Sequence, residues 1–506
     1  MSMIRRILQR LSATPQSLFW TFALTHLVLW TLVSSLASQN LPLDVIEGYA
    51  WGKEWLIGTH KHPPMQAWIL EIVYTITGRG RWAPYLTSQI AIIAAFWAVW
   101  QTGRRIAGEP SALIGVLLLE GVIYYNFTSP EFNPNVLQLP FWALAGWSFH
   151  KAVKENKLID WFLLGLWAAA GMYTKYSTAL FLFVLAAALF VHRDGRSRLK
   201  SVGPYVAVLT SVVLFLPHLL WLVHNNFLPF EYAQDRLVRN PNHYSAAITT
   251  TLMVAGQVIA LLFAVLLVVV LYDRRRAPIR KPAASFDRIF LAFVAFGPFA
   301  LMFCTSLVFG YHIRDMWETP FWNFIGLWAV VFLRPDLLPH DLRRFAWAWG
   351  LVFFAGFLLF IANETLAPYA TKSPKRTIFP GKNLSMHIIE AWHGHFHTPL
   401  RYVIGDMWAA GNVAWYADDR PHVFLDGDMR ISPWIDAGDL KSSGGIIVWC
   451  IQCCESMTGT AAIPEKLHAS FPQAEVQEPL TLNRMTFAHI EPAIVGWAIL
   501  PPSRTP

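Results

Sequence analysis

The chain has 506 residues, of which 55% are hydrophobic, 15% aromatic (24 Trp among them) and only 14% charged; its mean hydropathy is +0.39 and its formal net charge +8. That composition excludes an ordinary soluble enzyme and an intrinsically disordered chain, and it indicates a polytopic membrane protein. The basic excess does not indicate a nucleic-acid partner either, because Lys and Arg are dispersed over loops without an accompanying fold motif.

Apolar stretches long enough to cross a bilayer of about 30 Å fall near 18–38, 85–101, 111–126, 135–150, 159–173, 176–192, 203–223, 247–272, 288–309, 318–333 and 345–362. About eleven spans are therefore expected. Arg5, Arg6 and Arg10 lead into a first run too long for a signal-peptide core and without a cleavage site, so the first span is expected to stay in the membrane. With the N-terminus inside, about 21 Lys and Arg residues fall on the inner segments of the membrane region and 8 on the opposite side. This positive-inside bias predicts a cytoplasmic N-terminus and makes the net charge chiefly a topology signal.

The first outer loop, Leu43 to Met65, places Asp44 and Glu47 just beyond the first span, followed by Lys61-His62-Pro63-Pro64. Asp44 and Glu47 share a face if Leu43–Trp55 is an amphipathic helix lying on the membrane; the plainer alternative is a helix-capping Asp44 and a solvated Glu47. Lys61 and His62 are candidates to hold a lipid phosphate, against simple loop punctuation. The next polar outer segment, Thr128 to Asn135, contains Glu131, Asn133 and Asn135 between two spans and carries two prolines; its alternative reading is an ordinary turn with Asn135 capping the following helix. Lys175, in the short turn Met172-Tyr-Thr-Lys-Tyr176, is costly beside hydrocarbon unless it meets an anion or snorkels to the interface. Gly310 to Glu318 holds His312, Arg314, Asp315 and Glu318, where a local pair of Arg314 with Asp315 or Glu318 competes with a ligand role.

Beyond Ala362 no membrane-length run recurs. Tyr402–Gly405, His422–Leu425 and Ile446–Trp449 read as short buried strands, with Asp406–Tyr416 and Pro464–Phe471 as helices between them. The expected organisation is a transmembrane domain over 1–362, with loop helices in 39–84, and a soluble α/β domain over 363–506 on the outer side. Cys450, Cys453 and Cys454 fall in that domain, where one disulfide is expected with Cys450 paired to either neighbour; Cys304, inside a span, reads as a small buried hydrophobe. No Walker loop, dinucleotide fingerprint, His-Glu-x-x-His or nucleophile elbow occurs. A metal-ligand set is not evident, no cofactor is implied with certainty, and a divalent metal stays open.

The acidic motif after the first span, the Lys/His-Pro-Pro turn, the polar motif after the third span, the Thr-Lys-Tyr turn after the fifth and the C-terminal domain together resemble the GT-C glycosyltransferases related to protein O-mannosyltransferases. The resemblance is closest to bacterial enzymes of the aminoarabinose lipid A transferase and lipopolysaccharide galacturonosyltransferase type. It implies an all-α polytopic membrane domain with a small periplasmic α/β domain, in the bacterial inner membrane. It also implies inverting transfer of a sugar from a polyprenyl-phosphate donor to a lipid or lipopolysaccharide acceptor on the outer face. Asp44 matches the family's catalytic base. The spacing Asp44-Val-Ile-Glu47-Gly-Tyr49 departs from the family's Asp-Glu-x-x-Tyr, which makes Glu47 a partner to the base, while Glu131, Asn133 and Asn135 share the place of the second acidic motif. Lys61, His62, Lys175 and Arg314 are the candidates for the donor phosphate. Transfer to protein and transport of a lipid-linked sugar are the competing functions.

Overall fold

A computed structural model describes residues 14–236, 243–272, 282–311, 314–454, 457–484 and 490–503. Arg5, Arg6, Arg10, Arg239, the basic stretch 274–281 and His312 lie outside the described residues. The chain divides into two compact units. One comprises residues 1–31, 60–65 and 86–359, and the other 32–59, 66–85 and 360–506.

The first unit is helical. Six described helices are long and apolar enough to cross a membrane: Pro15–Ala37, Trp82–Ala107, Gly203–His224, Ala247–Leu271, Ser285–Phe309 and Pro339–Thr365. At 1.5 Å per residue each exceeds the roughly 30 Å hydrocarbon thickness. Gly203–His224 turns Val208, Leu209, Val212, Val213 and Leu220 outward, as a lipid-facing helix does. Several of the eleven expected spans are instead short helices. The stretch 111–126 becomes Glu109–Leu117 followed by two 3₁₀ turns, and 318–333 becomes the 3₁₀ segment Asp315–Trp322 followed by Ile325–Leu333. Each of these two α-helices has nine residues, about 14 Å of rise, too little for an uninterrupted crossing. Glycine lets their backbones meet: a Cβ on Gly326 would sit 2.1 Å from the Gly115 carbonyl oxygen. Cys304 also departs from expectation, because it lies on the outward side of Ser285–Phe309 and is exposed.

One buried polar chain inside this unit links three segments through its own side chains. The fully buried His26 ring engages the Glu120 carboxylate through Nδ1 at 2.9 Å and the Gln89 side-chain oxygen through Nε2 at 3.1 Å. Gln89 in turn donates to the Ser129 hydroxyl at 3.1 Å, and Ser129 donates to the Asn126 carbonyl at 2.8 Å. In hydrocarbon such groups must find protein partners. The result is a fixed start for the polar segment 126–135.

The second unit is built on a seven-stranded sheet: β1 (Tyr402–Gly405), β2 (His422–Leu425), β3 (Gly445–Cys454), β4 (Met457–Thr458), β5 (Glu475–Val476), β6 (Leu480–Leu482) and β7 (Ala493–Leu500). The main order is β2-β1-β3-β7-β5, with β4 on β3 and β6 on β7. β1 runs parallel to both neighbours, Tyr402 opposite His422 and Val403 opposite Ile446, while β7 is antiparallel to β3, with Ile447 opposite Ala498. The uninterrupted apolar runs of β1 and β3 are buried, as expected of central parallel strands covered on both faces. Asp406 caps the helix Met407–Tyr416 by accepting from the Trp408 and Ala409 amides at 2.9 Å. Cys450 pairs with Cys453, and Cys454 is buried and outside the disulfide. The all-α membrane part with a small C-terminal α/β domain is thus the fold class read from the sequence.

Candidate active site

The nine residues singled out from the sequence divide between the two units, and each group is described within its own. In the second unit, Pro42 starts the helix Leu43–Gly52, with Asp44 in its first turn. Asp44 is half-buried and Glu47 is buried, so the two sit on adjacent turns of a helix that is itself largely buried. Val45, Ile46, Tyr49 and Trp51 are all enclosed, so this helix packs against protein on several sides. The helix Met65–Thr77 follows, and Gln66 at its start donates from Nε2 to the Asp44 carbonyl at 2.8 Å. Asp44 thus sits in the first turn of its helix, with its backbone carbonyl held by Gln66 of the next helix.

In the first unit, Lys61, His62 and Lys175 come together. Burial first, and then the charges of Lys61, Lys175 and His60, hold the His62 imidazole well below the usual histidine range. His62 is accordingly neutral near pH 7 and surrounded by cations. Tyr232 forms a wall of this cluster, with its ring edge-on to His60 and His62 and 6.0 Å from the Lys61 ammonium. Lys175 ends the helix Leu158–Thr174 in an extended conformation, its Nζ donating to Asn135 Oδ1 at 2.5 Å and lying 5.4 Å from the centre of the Trp317 ring. Neighbouring Tyr176 and His218 share a 2.9 Å hydrogen bond. A cluster of cations with amide and aromatic walls suits an oxyanion such as a phosphate.

The second polar motif supplies Asn135 to that wall. Asn133 caps the helix Pro134–Glu155, accepting from the Asn135 and Val136 amides at 3.0 Å each. The expected capping residue Asn135 is thereby freed to meet Lys175. Glu131 is half-buried on the same segment. Arg314 is exposed, forms no ion pair with Asp315 or Glu318 among the described residues, and does not act on His62. Glu318 is fully buried, and burial followed by the Asp315 charge pushes its carboxyl up to about 8. The local Arg314–Glu318 pair considered from the sequence is therefore not what forms, since the two side chains go to opposite environments.

Sequence reading did not find Tyr232 or Trp317, which are aromatics in an aromatic-rich chain, nor Glu71 and Arg420, whose pairing across 349 residues leaves no local signal. Among the described residues no group of three or more His, Cys, Asp or Glu side chains is arranged to hold a metal ion.

Comparison with known proteins adds a family context. A family model described as dolichyl-phosphate-mannose-protein mannosyltransferase matches residues 61–221. The lipopolysaccharide core galacturonosyltransferase RgtA of Rhizobium johnstonii is 25% identical over 334 residues, covering 63% of this chain and 66% of that protein. The lipid A galacturonosyltransferase RgtD of the same organism is 25% identical over 216 residues, covering 41% of this chain and 44% of that protein. The chain thus spans just under two thirds of the length of one curated relative and less than half of the other. Among solved structures, ArnT from Cupriavidus metallidurans bound to undecaprenyl phosphate superimposes with a TM-score of 0.61 at 12% identity, covering 95% of this chain and 97% of that one. This chain has the GT-C membrane glycosyltransferase fold, and the resemblance read from its motifs is borne out at that level.

Proposed function

We propose that the chain is an inverting glycosyltransferase that moves a sugar from a polyprenyl-phosphate donor to a hydroxyl of a lipid or lipopolysaccharide acceptor. The observation that carries this reading is the convergence of Lys61, His62 and Lys175, with Asn135 and Tyr232, into one oxyanion-binding cluster in the membrane unit. The galacturonosyltransferase relatives and the undecaprenyl phosphate named for the ArnT structure agree with it.

The chemistry needs few parts. The acceptor oxygen attacks the anomeric carbon, the bond from that carbon to the phosphate oxygen breaks, and polyprenyl phosphate leaves with the electron pair. Asp44 takes the acceptor proton as general base, with Glu47 as its partner. Lys61 and Lys175 offset the charge that grows on the departing phosphate, and His62 adds a hydrogen-bonding group beside it. A lipid-linked donor needs no nucleotide-binding motif, which agrees with the absence of one in the sequence. Arg314 is exposed and is given no contact in this scheme.

The Lys and Arg asymmetry supports a topology with the N-terminus on the cytoplasmic side of a bacterial inner membrane and the α/β domain in the periplasm, where the transfer would occur. Reporter fusions after Lys200 and after Lys382 are then expected on opposite sides. A second reading, transfer to a hydroxyl of a protein, is favoured by the description of the family model. One assay separates them: purified protein is incubated with a panel of polyprenyl-phosphate sugars and either lipid A or an unfolded polypeptide. Release of polyprenyl phosphate that depends on the glycolipid supports the proposal. Release that depends on the polypeptide supports the second reading, and movement of lipid-linked sugar with no release at all would instead identify a transporter.

A further inference from the structure

We infer that the α/β tail is a positioning device for the Asp44 helix and that Arg420 is its chief positioning residue. The inference rests on the assignment of Asp44 as the base, and it concerns contacts that all lie within the second unit.

The helix Leu43–Gly52 is held by the tail at three levels. Before its start, the Gln39 and Asn40 amides donate to the Thr377 carbonyl at 2.9 and 2.8 Å. The buried Asn40 side chain donates to Asn412 Oδ1 at 2.9 Å and accepts from the Tyr416 hydroxyl at 2.8 Å. Along its length, Tyr49 stacks on Trp415 with ring centres 4.1 Å apart, and Ile46 lies so close to Gly411 that a Cβ there would stand 2.7 Å from the Ile46 side chain. Past its end, the Lys53 ammonium donates to the Arg420 carbonyl, and Glu54 meets His422 at 2.8 Å.

Arg420 reaches the base by a second route. Its guanidinium makes a two-pronged contact with the Glu71 carboxylate, at 3.1 and 2.7 Å, and its centre lies 3.7 Å from the middle of the Tyr74 ring. Glu71 and Tyr74 belong to the helix Met65–Thr77, whose Gln66 holds the Asp44 carbonyl. Arg420 thus grips the C-terminal flank of the base-bearing helix through its backbone and the neighbouring helix through its side chain. It does so from a left-handed backbone conformation (φ +47°), an uncommon one for arginine. Stability alone does not call for this arrangement, since a partly buried ion pair is often no better than an apolar contact of the same shape. What a planar, bidentate and ring-stacked arginine adds is a fixed angle and distance. A general base needs that, because a misplacement of about 1 Å can cost roughly 10²-fold in rate.

The test uses the full-length protein in detergent or nanodiscs, with Arg420→Ala, Arg420→Lys and Glu71→Gln compared to wild type in two measurements. Amide hydrogen exchange is expected to speed up across 43–54 in all three. Turnover is expected to fall about 10- to 100-fold in Arg420→Ala, and less in Arg420→Lys, while KM for donor and acceptor stays within about twofold. Unchanged exchange in 43–54 overturns the inference, as does unchanged kcat with faster exchange, or a raised KM at constant kcat, which would make Arg420 a substrate contact. If Arg420→Ala does not fold, His422→Gln gives the same pair of readouts at the opposite side of the clamp, with a smaller loss expected. Asp44→Asn is assayed alongside. Full activity there refutes the base assignment itself, whereas an inactive Asp44→Asn with a fully active Arg420→Ala refutes only the positioning role.

Discussion

Lys175 and Asn135 are joined by a 2.5 Å hydrogen bond from the ammonium to the amide oxygen, across 40 residues of sequence. That contact ties the end of one helix, Leu158–Thr174, to the start of another, Pro134–Glu155. The amide oxygen is a neutral acceptor that orients the lysine ammonium.

Lys175→Ala is expected to raise the donor KM or Kd by about 10- to 100-fold, the equivalent of losing one charge-assisted hydrogen bond of roughly 1.5–3 kcal/mol. Acceptor KM should hardly change. Titration with a polyprenyl-phosphate sugar checks this, and a selective loss of acceptor affinity would move Lys175 to the acceptor side.

Asp44→Asn removes the proton acceptor with little change of volume. Turnover should fall by about 10²–10⁴-fold while the thermal unfolding profile is retained. Glu47→Gln should lose less. Near-normal single-turnover transfer by a folded Asp44→Asn protein would rule Asp44 out.

His62 gives a pH signature. Its folded-state pKa lies well below the ordinary 6.5, through burial and then the nearby Lys61, Lys175 and His60 charges. Between that lowered value and 6.5 the unfolded chain binds a proton that the folded chain does not, so stability rises with pH across that window and no further above it. The ligand-free wild type should therefore lose melting temperature when taken from pH 7.5 to pH 5.5. His62→Gln should lose less over the same interval. Equal slopes for the two proteins would show that His62 does not titrate in this environment.

Asn133→Ala removes the helix cap and should destabilise the protein by about 1 kcal/mol. It should also raise the donor KM, because Asn135 lies two residues on and its amide is one of the two that Asn133 accepts from. Asn133→Asp should restore the cap. A destabilised Asn133→Ala with an unaltered donor KM would separate the cap from the Lys175 contact.

What the sequence made legible was whatever depends on near neighbours. The apolar runs Tyr402–Gly405 and His422–Leu425 form β1 and β2 at the expected bounds, and Asp406 starts the expected helix, because strand burial and capping are written within a few residues. β3 runs on to Cys454, beyond the expected Trp449, and its partner β7 was not anticipated, since an antiparallel edge with Gly496 facing Trp449 depends on packing between distant segments. The same limit applies to the membrane part. Nothing in the local pattern of 111–126 or 318–333 shows that Gly115 and Gly326 will touch and break those stretches into short helices. The cap at Asn133 instead of Asn135 is a choice between two residues of the same type on either side of Pro134. It is decided by Lys175, which claims Asn135.

Protein synthesis runs in one direction, and the partnership of Glu71 with Arg420 is ordered in time by it. The 349 residues between them take roughly 17–70 s to translate at 5–20 residues per second. During that interval the helix carrying Asp44 has been made and its clamp has not. Nearly all of the first unit is complete by residue 359, so a ribosome that stops early can leave most of the membrane helices in place. Such a product would still lack every contact that Asn412, Trp415, Arg420 and His422 make with the first loop. Nonsense changes between codons 360 and 412 should therefore behave as null alleles although the first unit is complete, and a C-terminal fusion tag reports only on chains that have had the chance to assemble this unit.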